Sequence, residues 1–86
     1  MSAFEYDFQG RRPSKLQVLK KVKEAVAAGA VDISLNWGEN WLRLEYVKTW
    51  SDKRCWQGYG WFKAFGGDDI AKQLNGDEPR AYGGIW

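Results

Sequence analysis

Apolar and polar residues alternate at the start of the chain, with Phe4, Tyr6 and Phe8 set against Glu5, Asp7 and Gln9. Successive side chains of an extended strand point to opposite faces, so this period of two predicts a first strand with one buried face. Gly10-Arg11-Arg12-Pro13 interrupts the pattern. Ser14-Lys15-Leu16-Gln17 then has the spacing of a capping box, in which the Ser14 hydroxyl and the Gln17 side chain satisfy backbone N–H groups at a helix start. Over residues 15 to 28 the period becomes helical. Val18, Leu19, Val22, Ala25 and Val26 share one side and Gln17, Lys20, Lys21 and Glu24 the other, while Gly29 suits a left-handed position past the helix end.

Alternation returns with Val31, Ile33, Leu35 and Trp37, pauses at Gly38-Glu39-Asn40, and resumes with Leu42, Leu44 and Tyr46 against Trp41, Arg43 and Glu45. This predicts a hairpin with a type II′ turn at Gly38-Glu39, Leu35 opposite Leu42, and Ile33 opposite Leu44. A slip of one residue would carry Arg43 and Glu45 into the apolar layer, so the register is well specified and Trp41 points away from the core. After the polar turn Ser51-Asp52-Lys53-Arg54, residues Cys55 to Phe65 read as a further strand. Gly58 and Gly60 within it signal a bulge or a close backbone approach. Gly66-Gly67 leads to Asp68 as N-cap of a short helix carrying Ile70, Ala71 and Leu74, with Asn75-Gly76 as its stop. The expected fold is therefore α+β, one domain over residues 1–86 in the order β-α-β-β-β-α. An antiparallel sheet packs on one long amphipathic helix, and residues 77–86 are a candidate flexible tail that either docks or awaits a partner.

Composition sharpens this picture at one point. Six Trp, four Tyr and four Phe make 16% of an 86-residue chain. Large rings supply buried area that a short chain otherwise lacks, yet this number exceeds what a small interior needs. The longest uncharged apolar stretch, Ala25 to Val31, falls far short of the roughly 20 residues of a membrane span. The start of the chain lacks the basic and apolar segments of a secretory signal, and a lone Cys55 fits a reducing compartment, so a cytoplasmic location is expected.

Histidine is absent from the sequence, which removes the commonest general base and metal ligand together. No phosphate-cradling glycine motif is present. The adjacent acids Asp68-Asp69 are explained by the helix dipole, and Asp77-Glu78 lies in a turn-like context. The expectation is a non-enzymatic protein without metal or cofactor.

Binding surfaces carry the functional reading instead. Trp41 and Arg43, with Trp56 and Trp86, form a candidate protein-binding set, because Trp and Arg dominate interface hot spots. Trp50, Lys53, Arg54, Trp56, Tyr59, Trp61 and Lys63 form an alternative set for single-stranded DNA or RNA, where bases stack on rings and cations meet phosphates. Within that stretch, Gly58-Tyr59-Gly60-Trp61-Phe62 resembles the aromatic RNA-binding strand of cold-shock domains. The second aromatic motif of that family, with its histidine, is absent, and a helix after the first strand departs from its barrel. Lys20, Lys21 and Lys23, with Arg11 and Arg12, read as a solvated helix face in which Glu24 can pair with Lys20, with phosphate contact as the alternative. A net charge of +2 is small for a nucleic-acid binder and favours a protein partner. By analogy of size and style, the expectation is an inhibitor or adaptor of a host protein complex. Small phage and mobile-element proteins such as the anti-CRISPR inhibitors work in this way, and this chain is expected to be a monomer or a homodimer.

Overall fold

The computed structural model describes residues 2–49 and 53–77. The elements are β1 (Ser2–Phe8), α1 (Lys15–Ala27), β2 (Ala30–Trp37), β3 (Asn40–Lys48), β4 (Arg54–Gly60) and α2 (Gly67–Asp77). The capping box is fully formed at the start of α1: the Gln17 N–H donates to Ser14 Oγ at 3.1 Å and the Ser14 N–H to Gln17 Oε1 at 2.8 Å. Gly29, at φ 93°, ends the helix in the left-handed region, its N–H donating to the Val26 carbonyl at 2.9 Å.

Strand order in the sheet follows chain order, β1-β2-β3-β4. β2 to β4 form an antiparallel meander, but β1 and β2 run parallel. The sheet is therefore mixed, which corrects the wholly antiparallel expectation. A helix inserted between two neighbouring strands carries the chain back to the end at which the first strand began, so the second strand runs in the same direction as the first. The single long helix needs the same correction. α1 has 13 residues and α2 has 11, and both contribute to one core on the same face of the sheet.

The β2–β3 hairpin has the register that its alternation predicts, Leu35 beside Leu42 and Ile33 beside Leu44. Gly38 takes φ 58° while Glu39 keeps an ordinary negative φ, which separates a II′ turn from a I′ turn. At the start of β2 a register shift opposite Ser2 and Ala3 breaks the alternation, so Ala30 is buried and Val31 only half-buried.

The segment expected as one strand from Cys55 to Phe65 stops at Gly60, whose φ of 92° breaks the pleat. Trp61 bridges to Gly66, and the Phe62 N–H donates to the Phe65 carbonyl at 2.9 Å. This tight loop turns both Phe rings into the core, where Phe62 meets Phe8, Trp37 and Phe65 edge to face. Gly58 and Gly67 then touch backbone to backbone: a Cβ on Gly58 would fall on the Gly67 carbonyl, and one on Gly67 on the backbone of Tyr59. Gly67 opens α2, so Asp68 is not its cap. The Asp69 carboxylate instead accepts the Gly66 N–H at 2.8 Å, which is one half of a capping box. Asn75-Gly76 does not stop the helix either. Asn75 lies within α2, where its side-chain amide accepts the Trp56 N–H at 2.9 Å and donates to the Trp56 carbonyl at 3.1 Å. The result is a small single α+β domain, and among the described residues no helix is long and apolar enough to cross a membrane.

Candidate functional site

Register assigns every strand residue to one of two faces. Toward the helices the rows across the sheet read Phe4-Ile33-Leu44-Gly58 and Tyr6-Leu35-Leu42-Gly60. On the opposite, helix-free face they read Ala3-Asp32-Glu45-Gln57 and Glu5-Ser34-Arg43-Tyr59, followed by Asp7-Asn36-Trp41. Trp61 extends this last row, since its N–H donates to the Trp41 carbonyl at 3.1 Å. The outer face thus changes character across the sheet, from carboxylates on β1 to large rings on β3 and β4.

At the ring end Trp41 is 51% exposed, Tyr59 44% and Trp61 55%. Arg43 stands directly opposite Tyr59 and is held in place from its other side. Its guanidinium donates twice to Asp32, from Nε at 3.2 Å and Nη2 at 3.0 Å, and lies 3.2 Å from Glu45 Oε2. The Asp32 hydrogen bonds, reinforced by the charges of Asp32 and Glu45, raise the Arg43 pKa above its ordinary value. A planar guanidinium fixed by a bidentate carboxylate loses little further freedom when a partner covers it. The Tyr59 hydroxyl donates to Gln57 Oε1 at 2.9 Å, which fixes that ring as well. Beside Tyr59 a shallow groove of about 330 Å³ runs between β4 and α2, bounded by Trp56, Asp68, Lys72 and Asn75.

The protein-binding set predicted from sequence divides on this surface. Trp41 and Arg43 lie two residues apart on the outer face, whereas Trp56 does not join them. Trp56 turns inward, 4% exposed, and packs its ring on Tyr46 at a centroid distance of 5.1 Å. Alternation alone explains the correction: Trp56 is in register with Tyr46, an inward position of the meander. Trp86 and Trp50 lie outside the described residues. In the nucleic-acid set, Tyr59 and Trp61 are exposed on the outer face and Lys53 and Arg54 are exposed at the start of β4. Lys63 sits at φ 71° in the Trp61–Gly66 loop with its ammonium 5.8 Å from the ring centre of Trp37, an inner-face residue. The interleaved rings and cations of residues 53 to 65 therefore do not form one stripe.

Sequence reasoning overlooked the acidic side of the surface. Glu5, Asp7, Asp32 and Glu45 occupy outward positions in the same alternation that singled out Trp41, so the signal was present in the strand pattern. On α1, Lys21 pairs with Glu24 at 3.4 Å in place of the expected Lys20, and its ammonium lies 4.3 Å from the Tyr6 ring centre. Lys15, Lys20 and Lys23 are exposed on α1, and Arg11 and Arg12 are exposed in the connection before it. Charge is thus polarised, basic over α1 and acidic over the outer sheet. No protein-family model, curated protein or solved structure matches the chain.

Proposed function

We propose that the domain is a non-enzymatic protein-binding module that acts by occupying its partner, as an inhibitor or adaptor of a host protein complex in the style of small phage and mobile-element proteins. The observation that carries this reading is the exposure of Trp41, Tyr59 and Trp61 on one face beside a pre-fixed Arg43, while the core is filled without them. Rigid rings around a fixed guanidinium lose little entropy on burial and are the residue types that dominate hot spots. The same face disfavours a polyanion, because a nucleic acid laid across it would bring phosphates toward Glu5, Asp7, Asp32 and Glu45.

The reading is tested with Trp41→Ser combined with Trp61→Ser. Quantitative co-purification from cells that express the protein should show a stoichiometric partner retained by the wild type and lost by the variant, with both proteins equally folded. Oligonucleotides that quench tryptophan fluorescence in a salt-dependent way, with no such protein partner, would move the assignment to single-stranded nucleic acid.

A further inference from the structure

The two edges of the sheet are treated differently. At β4 the outward-pointing backbone of Trp56 is taken by the Asn75 amide, and Gly58 is covered by the backbone of Gly67, so α2 closes that edge. β1 lies at the other edge of the sheet, and among the described residues no strand pairs with its outer side. A strand edge presents alternating N–H and C=O groups that can template another strand, and proteins commonly blunt such edges with lysine or proline. The segment Ser2–Phe8, Ser-Ala-Phe-Glu-Tyr-Asp-Phe, contains neither. Its side chains are instead sorted by charge: Glu5 and Asp7 are exposed on the outer face, the face that also carries Asp32 and Glu45 in a neighbouring row, while Phe4, Tyr6 and Phe8 lie on the helix side. Tyr6 remains 39% exposed there, with Lys21 over its ring.

We infer that the β1 edge is a second binding site, which accepts an extended cationic segment of another protein as a fifth strand. Backbone hydrogen bonds to β1 would supply a sequence-independent part of the affinity, and alternate side chains the selectivity. On one side of the added strand Arg or Lys residues meet Glu5 and Asp7; on the other, apolar residues extend the layer of Phe4, Tyr6 and Phe8. The same charges argue against a second copy as occupant. Antiparallel pairing of two β1 strands over their full length, about a two-fold axis at the midpoint Glu5, sets Glu5 against Glu5, and like charges directly opposite are destabilising. This site lies at the opposite edge of the sheet from Trp61 and does not depend on the ring surface.

The probe is a synthetic peptide of alternating Arg and Val, compared with its Glu-Val counterpart and with an Arg-Val peptide interrupted by central prolines. Titration followed by amide hydrogen exchange should show the Arg-Val peptide slowing exchange at every second amide of β1 and leaving β4 unchanged. Affinity should fall about tenfold or more with Glu5→Lys plus Asp7→Lys, and should not change with Trp41→Ser plus Trp61→Ser. Should the charge-reversed variant not fold, Glu5→Gln plus Asp7→Asn takes its place, with a smaller loss. Equal binding of the Glu-Val or proline-interrupted peptide overturns the proposal, as does protection that maps away from β1. Sedimentation equilibrium showing a dimer whose protection lies on β1 overturns it in favour of self-association.

Discussion

The two helices cover the same face of the sheet by different means. α1 is attached through side chains: Val18, Val22 and Ala25 form an apolar stripe, each fully buried, and a capping box fixes where the helix begins. α2 uses a stripe too, in Ile70, Ala71 and Leu74, but its position is set by backbone. Gly58 and Gly67 meet where neither has room for a side chain, and the Asn75 amide takes the place of a neighbouring strand beside Trp56. A side-chain stripe tolerates small shifts and repacking, whereas a backbone contact fixes the distance between two elements with little tolerance. The domain is therefore expected to be robust to substitution around α1 and brittle at the junction of β4 with α2.

The largest expected effect comes from adding a methyl group at that junction. Gly67→Ala places a Cβ against the backbone of Tyr59, where no rotamer change can relieve it, and should destabilise the domain by about 3 kcal/mol or more. Ala28→Gly at the end of α1 is a useful control, because it removes a methyl group at an exposed position. Urea unfolding of the two variants measures the difference, and a Gly67→Ala protein as stable as wild type would remove the backbone contact from the account.

Asn75 comes next. Asn75→Ala leaves the N–H and carbonyl of Trp56 without their partner beside α2, at a cost of about 2 kcal/mol. Asn75→Asp keeps the acceptor for the N–H but turns a carboxylate oxygen toward the Trp56 carbonyl, so it should be no more stable than the alanine variant. If Asp proves as good as Asn, the donor half of the pair contributes nothing. Ser14→Ala, at the α1 cap, should cost about 1 kcal/mol, since the Gln17 N–H lies at an exposed helix end where water can replace the hydroxyl. A cap loss equal to the Asn75 loss would erase the contrast between the two helices.

The same contrast explains what the sequence made legible. Interactions written in residue periodicity were readable: the hairpin register, the Ser14 box, the apolar stripe of α1 and the outward position of Trp41 all follow from spacings of two, three or four residues. Gly58 signalled a close approach, but its partner is nine residues away, and no local pattern names Gly67. The parallel pairing of β1 with β2 was missed because alternation gives the faces of a strand and not its direction. Trp56 differs from its expected position for another reason: composition groups a stretch rich in rings and cations into one surface, whereas the alternation of β4 places Trp56 and Tyr59 on opposite faces. Applied strictly, the period of two would have separated them, and it would have paired Arg43 with the acidic positions of the outer face.

The smallest expected effect concerns the rings that neither helix uses. Trp41 and Trp61 are each more than half exposed and belong to no core contact, so Trp41→Ser with Trp61→Ser should change unfolding free energy by no more than about 0.5 kcal/mol. Serine has a lower strand propensity than tryptophan, which gives any change a destabilising sign. If the loss instead reached the size expected at Asn75, the rings would be holding β3 to β4, and their exposure would no longer argue for a partner. A neutral result separates the two faces of one sheet: the inner face is fixed by folding, and the outer aromatic face is left available for recognition.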